Sequence, residues 1–346
     1  MMNKGCKYGT HRSIEPKGVL PQPATKISND MNIFDNEILI DVQALNIDSA
    51  SFTQIEEEAG HDIEKIKAKI IEIVTLSGKM QNPVTGSGGM LIGTVEKIGG
   101  ALKGKTDLKV GDKISTLVSL SLTPLKIDEI IDIKPDIDRV VIKGKAILFE
   151  SGLYAKLPKD MDENLALAAL DVAGAPAQVA KLVRPGQSVL LLGAAGKSGM
   201  LCSYEAVKRV GPTGNVIGLV RNEEEAARLA RLGLKMQIVI GDARNALDVM
   251  NTTLAHNNGC EVDVAINMVN VPNTEMSTIL PVKDDGIVYF FSMATSFTKA
   301  ALGAEGVGKD VTMIVGNGYT KGHAEITLEE LRENETLRSV FEELYV

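Results

Sequence analysis

The chain has 346 residues, 44% of them hydrophobic, and its 37 lysines and arginines against 45 aspartates and glutamates give a net charge of −8. At roughly 150 residues per domain, this length predicts about two domains, each able to bury a core. The acidic balance argues against a nucleic-acid-binding protein, and no apolar run approaches the roughly 20 residues of a membrane span. Three scattered cysteines cannot form a disulfide framework. We expect a soluble, cytoplasmic α/β enzyme that acts on a small molecule, with no nucleic-acid or membrane partner.

The first half of the chain has the pattern of a β-rich domain. Apolar and polar residues alternate from Glu37 to Ala44, which predicts a strand with one buried face. Leu91 to Ile98 alternates in the same way, and Ile127 to Glu150 is rich in β-branched residues. One amphipathic helix is predicted from His61 to Leu76, with isoleucines on one face and a glycine after its end. We therefore predict a β-rich domain over residues 1–160.

Beyond Pro158 the pattern changes to alternating helices and buried strands. A helix is predicted from Asp160 to Leu182, and another from Leu328 to Leu344, which a capping box of Thr327 and Glu330 would open. Strand–helix alternation of this kind predicts a doubly wound parallel sheet. We assign this sheet to residues 161–310, and a segment that closes it and returns to the first domain to residues 311–346. The predicted strands cover 188–192, 215–220, 236–240, 262–267, 286–291 and 311–315, and the first two crossover helices cover 197–210 and 223–232.

A glycine-rich turn follows the first strand of this sheet and opens a helix. Its glycines let the backbone turn sharply, approach a diphosphate closely and pack the helix on the strand. The helix N-terminus supplies free N–H groups and the positive end of the helix dipole. A P-loop is excluded by spacing, because Leu191 stands where the first glycine of that motif is required. The sequence therefore predicts a dinucleotide site formed by Gly193, Ala194, Ala195, Gly196, Lys197, Ser198 and Gly199.

Cofactor choice depends on the residues at the end of the second strand. An NAD-binding protein usually has an acidic residue there, whereas this chain has Arg221 followed by Asn222. Because a guanidinium can hold the 2′-phosphate of NADP, we favour NADP over NAD. Arg221 could instead stack on adenine or face solvent, and the acidic residues 223–225 could still reach a ribose. The other predicted cofactor contacts follow later strands, with capping or turn roles as the alternative: Asp242, Asn267, Met268, Ser292 and Met293.

Four segments resemble the medium-chain dehydrogenase/reductase superfamily. Glu37 to Ser51 is similar to its first catalytic-domain strand and loop, and Gly93 to Gly100 with Lys109 to Ile114 is similar to its GroES-like barrel. Arg184 to Gly193 is similar to the approach to its nucleotide-binding domain. The resemblance implies a GroES-like catalytic domain followed by a Rossmann domain, an NAD(P) cofactor and a homodimer. The chain lacks the cysteines and the His-Glu pair that hold zinc in some members, so we expect no metal.

The N-terminal arm resembles a narrower branch of that superfamily. Lys7 to Ala24, together with Ser87 to Met90 and Asp171 to Pro176, is similar to the zinc-independent dehydrogenases of 3,5-diaminohexanoate. This resemblance implies NAD(P)-dependent oxidative deamination at C3, with release of ammonia, in lysine fermentation. Composition and periodicity alone indicate only a zinc-free oxidoreductase. The alternatives are a zinc-free quinone or enone reductase and a non-catalytic NADPH-binding sensor.

The implied reaction needs groups that bind ammonium and move protons. Asp171 is the first candidate, because it lies in an apolar stretch that the superfamily places beside the nicotinamide; a structural cap is the alternative. The acidic run of Glu56, Glu57 and Glu58 with His61 is the second, against a solvated helix end. Arg12 could meet the substrate carboxylate or a neighbouring subunit. The remaining candidates are Ser51 and Tyr8, and Tyr319 in the segment that begins at Asn317.

Overall fold

The protein divides into two compact units. The computed structural model describes residues 3–316 and 318–346. The first unit ends at Lys159, and the second covers Asp160–Val346. Each unit has a six-stranded sheet of its own and a hydrophobic core formed by side chains of that sheet and of the helices packed on it.

The first unit is dominated by β-strands. In chain order its strands and α-helices are β1 (Ser13–Glu15), β2 (Lys26–Ile27), β3 (Glu37–Asn46), α1 (Ser49–Ala59), α2 (Ile63–Ser77), β4 (Met90–Ile98), β5 (Lys113–Thr116), β6 (Leu125–Lys134), β7 (Arg139–Phe149) and β8 (Tyr154–Lys156). β1 pairs with β2, and the other six strands form an antiparallel sheet in the order β6-β7-β3-β4-β5-β8. The predicted β-rich fold of this part of the chain is confirmed.

One hydrophobic core joins the sheet and the helices of the first unit. The buried residues that the sequence pattern predicted are Ile38, Ile40 and Val42 of β3 and Ile66, Ile70, Ile73 and Val74 of α2. Helix α2 begins at Ile63 rather than at His61, because His61 has a left-handed φ of 59°. The Asp62 carboxylate caps the helix by accepting from the amides of Glu64 and Lys65. The segment that we expected to be a loop around Ser51 is helix α1.

The second unit contains a parallel sheet with helices. Its elements are α3 (Glu163–Leu170), α4 (Gly174–Leu182), β9 (Ser188–Leu192), α5 (Lys197–Val210), β10 (Asn215–Val220), α6 (Glu223–Ala230), β11 (Gln237–Ile240), α7 (Ala246–Ala255), β12 (Val262–Asn267), α8 (Glu275–Ile279), β13 (Val282–Phe290), α9 (Phe297–Val307), β14 (Thr312–Val315), α10 (His323–Glu333) and α11 (Glu335–Tyr345). The strand order is β11-β10-β9-β12-β13-β14, and all neighbouring pairs are parallel. This order is that of a dinucleotide-binding doubly wound fold, so the predicted fold class is confirmed.

Two helix predictions in the second unit are wrong. The helix predicted from Asp160 to Leu182 is two helices, α3 capped by Asp162 and α4, bent by 55°. Pro176 has no N–H and its ring would clash with the carbonyl four residues earlier, so α3 cannot continue into α4. The capping box predicted at Thr327 and Glu330 is not a helix start, because both residues are buried inside α10. The next helix, α11, is capped instead by Asn334, which accepts from the amide of Leu337.

The helices of this protein are mostly shorter than the roughly 20 apolar residues that a membrane span needs. Among the described residues, no single helix is both long and apolar enough to cross a bilayer. In the part of the chain that the structure describes, the bent pair α3 and α4, taken together, is the one that reaches the necessary length and hydropathy.

Candidate functional site

The glycine-rich turn has the geometry that a diphosphate requires. Gly193, directly after β9, has a φ of 81°, which favours glycine. A Cβ on Gly199 would lie 2.1 Å from the carbonyl oxygen of Gly193, so only glycine lets α5 pack this closely on the turn. Gly196 caps α5 without a side-chain hydrogen bond. The first-turn amides of Lys197, Ser198 and Gly199 have no carbonyl within the helix to donate to. A bound anion can therefore accept from them.

The turn lies where the strand order of the sheet reverses, between β9 and β12. Leu192 is opposite Asn267, and the Met268 amide donates to the Leu192 carbonyl at 3.0 Å. Asn267 is buried, and its side-chain amide donates to Thr274 Oγ1 at 2.9 Å and to Thr278 Oγ1 at 2.8 Å. The structure thus places Met268 beside the turn and uses the Asn267 side chain to hold the loop after β12.

The predicted contacts after the other strands have different surroundings. Ser292 Oγ accepts from the Ala294 amide at 3.1 Å, whereas Met293 is 71% exposed. Asp242 follows the edge strand β11 and binds the guanidinium of Arg244 with both oxygens. Hydrogen bonds from Arg244 lower the pKa of Asp242 to about 2. Ser292 and Asp242 thus both make hydrogen bonds within their own turns, as the alternative turn role expects.

The end of β10 carries an ion pair that the sequence did not predict. The Arg221 side chain is 78% exposed, and its guanidinium lies 2.8 Å from Glu225 Oε1. The other oxygen of Glu225 accepts from the Arg221 amide at 2.8 Å, and Asn222 caps α6 through the Glu225 amide. An acidic group therefore does lie at the end of this strand, supplied by the first turn of α6.

Asp171 and Lys197, predicted for different roles, are in direct contact. Asp171 Oδ2 accepts from Lys197 Nζ at 2.8 Å, and the two side chains are 50% and 32% exposed. Asp171 follows the last residue of α3, while Lys197 is the first residue of α5 in the glycine-rich turn. The ring of Tyr345, at the end of α11, lies 5.4 Å from Lys197 Nζ. Asp171 is thus not an isolated buried carboxylate but half of an accessible ion pair at the turn.

The acidic run of the first unit is engaged with neighbouring side chains. Glu56 Oε1 lies 3.3 Å from His61 Nδ1, and Glu58 lies 2.9 Å from Lys69 of α2. Hydrogen bonds from Lys69 and Gln54 lower the pKa of Glu58. Glu57 is exposed, and its carbonyl accepts from Gly60 in the turn that ends α1. Of these contacts, that of Glu58 with Lys69 links α1 to α2, and those of Glu56 and Glu57 lie in the turn that ends α1, as the solvated helix-end alternative expects.

Ser51 belongs to a cluster of hydroxyl groups. It is buried, and its Oγ lies 2.6 Å from both Thr85 Oγ1 and Ser87 Oγ. Asn82 Nδ2 donates to the Ser51 carbonyl at 3.1 Å. A chain of hydroxyls can hold or pass a proton between a buried and an exposed position. Thr85 was missed in the sequence because it lies 34 residues from Ser51, and no local spacing connects the two.

The N-terminal arm holds a buried arginine with several hydrogen-bond partners. Arg12 is 2% exposed and donates to Glu37 Oε2 at 2.6 Å and to the Asp30 carbonyl at 2.6 Å. This bonding leaves its guanidinium no open face for a substrate carboxylate. Tyr8 is half exposed beneath Lys7, whose Nζ lies 4.6 Å from the ring centre.

Tyr319 lies in the second unit, near the end of the chain. Tyr319 packs edge-on against His323 at 5.1 Å, and Asn317 before it lies outside the described residues. Burial lowers the pKa of His323. In the part of the chain that the structure describes, no three His, Cys, Asp or Glu side chains are placed to hold a metal ion together.

Comparison with known proteins identifies close relatives. Residues 11–158 match the family model described as the L-erythro-3,5-diaminohexanoate dehydrogenase N-terminal domain. An L-erythro-3,5-diaminohexanoate dehydrogenase of Fusobacterium nucleatum is 79% identical over 345 residues, which cover 100% of both chains. Another, of Acetoanaerobium sticklandii, is 76% identical over 343 residues, which cover 99% of this chain and 100% of the relative.

The solved structures agree with the fold. A mycobacterial quinone oxidoreductase has a TM-score of 0.54 and 18% identity, covering 90% of this chain and 82% of that one. At this identity the likeness shows the fold alone. The two full-length relatives decide membership, and they bear out the resemblance of the N-terminal arm. The chain belongs to the L-erythro-3,5-diaminohexanoate dehydrogenase family.

Proposed function

We propose that this protein oxidatively deaminates L-erythro-3,5-diaminohexanoate to 5-amino-3-oxohexanoate and ammonia with an NAD(P) cofactor. The observation that carries the proposal is 79% identity, over the full length of both chains, to a protein with this dehydrogenase name. In the balanced reaction, the C3–H bond gives its hydride to the oxidised cofactor. The C3–N bond is replaced by a C=O bond whose oxygen comes from water. Ammonium and one proton leave together with the reduced cofactor.

The glycine-rich turn supports the cofactor part of the proposal. The close approach of Gly199 to the Gly193 carbonyl and the open N-terminus of α5 fit a dinucleotide diphosphate. When bound, the nicotinamide serves as the hydride acceptor. The chain's own contribution is to orient the cofactor through the first-turn amides of Lys197, Ser198 and Gly199 and the adjacent Met268.

Asp171 supports the substrate part. An amine releases hydride only in its neutral form, so a nearby base must take the proton of the C3 ammonium. Asp171 is half exposed, and its Oδ1 accepts no hydrogen bond within the described residues, so the carboxylate is accessible to a substrate. Because Glu56 and Glu58 are held by His61 and Lys69, we assign the ammonium contact to Asp171 alone.

The choice between NAD and NADP is proposed to depend on the Arg221–Glu225 pair. The Glu225 carboxylate offsets the charge with which Arg221 would attract a 2′-phosphate. We therefore expect only a weak preference for NADP. Glu225→Gln should strengthen that preference about tenfold, measured as the ratio of kcat/KM for the two cofactors. The variant Glu224→Gln, which leaves the pair intact, is the control.

Steady-state turnover of the diamine with each cofactor is the deciding experiment. We expect activity in the unaltered protein and a loss of about 10²-fold or more in Asp171→Asn. With reduced cofactor and a quinone as the hydride acceptor, we expect no oxidation of the cofactor. We also expect dialysis against a chelator to leave the rate unchanged, since we propose a reaction without metal. No turnover of the diamine with either cofactor would refute the proposed function.

We propose that the protein forms a homodimer. Helix α9 and the edge strand β14 of the parallel sheet carry exposed apolar side chains. They are Phe297, Leu302, Val307 and Val315. Covering such side chains and an open strand edge stabilises association. Light scattering should give twice the chain mass, and a monomer at micromolar concentration would contradict this expectation.

A further inference from the structure

We infer that Asp171 and the cofactor diphosphate compete for Lys197, so that cofactor binding frees the Asp171 carboxylate to receive the substrate ammonium. The inference rests on the proposed function and assigns an order of contacts to its site. It arises from an apparent conflict: the carboxylate proposed for a substrate cation already holds a protein cation.

The position of Lys197 places its charge within reach of both partners. It is the first residue of α5, so its backbone amide is one of those that face a bound diphosphate. Its flexible side chain lies across the turn, with Nζ 2.8 Å from Asp171 Oδ2. A lysine ammonium is a point charge on a flexible stem, so it can turn from a carboxylate to a phosphate without moving the backbone.

Because the Lys197–Asp171 pair is exposed, breaking it costs little free energy. Asp171 is 50% exposed and Lys197 is 32% exposed, so water screens their attraction. A diphosphate offers Lys197 a stronger partner, because it carries more negative charge and is already placed by the α5 amides. While Lys197 is on Asp171, the Tyr345 ring lies 5.4 Å from Nζ and is a neutral partner that does not compete with a phosphate.

The charge at Asp171 then favours binding of the substrate ammonium after Lys197 has moved. While Lys197 is on Asp171, a second ammonium at the same carboxylate meets a like charge and a carboxylate already neutralised. Once Lys197 is on the diphosphate, Asp171 is a free anion. The substrate ammonium can take the place that Lys197 has left.

Cofactor affinity of two variants tests the competition, without need of turnover. Asp171→Asn removes the competitor, so we expect reduced cofactor to bind about two- to fivefold more tightly in a fluorescence titration. Lys197→Gln removes the diphosphate contact, and we expect about tenfold weaker binding. If Asp171 instead served to aim Lys197 at the phosphate, Asp171→Asn would weaken cofactor binding. Weaker or unchanged binding therefore overturns the inference.

A matched ion pair in the same unit provides the control. Arg332 holds Asp160 at 2.9 Å, with exposures of 35% and 58% that are close to those of the Lys197–Asp171 pair. Asp160→Asn should leave cofactor affinity unchanged. A change equal to that of Asp171→Asn would show a general charge effect and count against the competition.

Binding of the diamine without cofactor tests the second half. We expect calorimetry to detect little binding of 3,5-diaminohexanoate to the cofactor-free protein, and measurable binding to cofactor-free Lys197→Gln, in which Asp171 is free. Equal binding by the two proteins would overturn this half. If the diamine is never turned over while Asp171→Asn still tightens cofactor binding, the proposed substrate is wrong and the competition for Lys197 stands.

Discussion

Each unit of the protein buries a glutamate, and the two are held in opposite ways. Glu37 of the first unit and Glu330 of the second are at most 1% exposed. Arg12 donates to the two oxygens of Glu37 at 2.7 and 2.6 Å, and the Phe34 amide donates at 2.9 Å. Neither oxygen of Glu330 has a hydrogen-bond partner among the described residues. The same side chain is therefore a fully partnered anion in one unit and an unpartnered acid in the other.

The surroundings decide the charge of each glutamate. Burial on its own raises the pKa of Glu37, but hydrogen bonds from Arg12 and Phe34 outweigh it and hold the pKa below its usual range. Burial raises the pKa of Glu330 well above its usual range, and Glu205 on the facing helix α5 raises it further. Glu330 is consequently kept neutral, because an unpartnered buried carboxylate is too costly.

The nearby cations of the second unit do not change this conclusion. Lys208 and Arg209 of α5 lower the pKa of Glu330, but they are already bound to Glu333 and Glu205 respectively. Cys202, on the same helix, is also buried, and its pKa is raised well above the usual value, so it is neutral. A buried glutamate with a cationic partner thus stays an anion, whereas one without a partner stays neutral. Their contributions to stability therefore change with pH in opposite senses.

Breaking the paired site should have the largest effect. Arg12→Met leaves the buried Glu37 with only the His11 ring and the Phe34 amide as its partners among the described residues. We therefore expect a loss of about 3–5 kcal/mol in the free energy of unfolding of the first unit. Urea denaturation, monitored by amide hydrogen exchange in β3, measures this loss of stability. The double variant Arg12→Met with Glu37→Gln should lose clearly less than Arg12→Met alone. Equal losses would show that packing, and not the stranded charge, is responsible.

At the unpaired glutamate, Glu330, we expect the stability of the protein to fall as pH rises. The folded-state pKa of Glu330 lies above its unfolded value of 4.5, so its contribution to stability is complete below pH 4.5 and is lost as pH rises through the folded pKa. Glu330→Gln removes this loss. The variant should gain stability over the unaltered protein by up to about 1.4 kcal/mol per pH unit above 4.5, and match it below. Thermal unfolding at a series of pH values measures the difference.

A carboxylate three residues away gives the matched control. Glu333 is on the same helix, but Lys208 lowers its pKa, so its contribution is present above pH 4.5 and is lost on acidification. Glu333→Gln should therefore change the pH dependence in the opposite sense. Parallel pH profiles for the two variants would contradict the assignment of a neutral Glu330.

The contrast also shows what the sequence could predict. Both sheets were predicted, because a buried strand or an amphipathic helix imprints its period on consecutive residues, as in β3 and α2. The glycine-rich turn was predicted for the same reason, since strand, turn and helix start lie within about a dozen residues. The bend between α3 and α4 was not predicted, although Pro176 carried the signal.

Contacts between distant residues could not be predicted. Arg12 was a functional candidate because its arm has no hydrophobic pattern, yet its partner Glu37 lies 25 residues away. Asp171 was a candidate because it lies in an apolar stretch, and its partner Lys197 lies 26 residues away. Glu330 matched a capping box, because the same spacing of hydroxyl and acid occurs on the buried face of a helix. In each case the residue type was noticed, and the partner decided its role.

A buried lysine extends the comparison with a smaller effect. Lys79 is fully buried, and within the described part of the chain its Nζ donates only to the carbonyls of Pro21 and Gln22, at 2.6 and 3.0 Å. Burial lowers the pKa of Lys79 to about 8. Between pH 8 and its usual 10.5, the unfolded chain binds more protons, so the unaltered protein should gain stability with rising pH. Lys79→Met should not show that gain, so its stability relative to the unaltered protein should fall as pH rises from 8 to 10.5, measured by thermal unfolding.

An exposed pair sets the lower limit of the comparison. Lys69 lies 2.9 Å from Glu58, a distance close to that of Arg12 from Glu37, but both side chains of this pair face water. Water already solvates each charge when the other is removed, so no group is left stranded. Lys69→Gln should leave the unfolding midpoint unchanged within error, although it has the same kind of partner as Arg12. A loss comparable to that of Arg12→Met would mean that burial is not what separates these pairs.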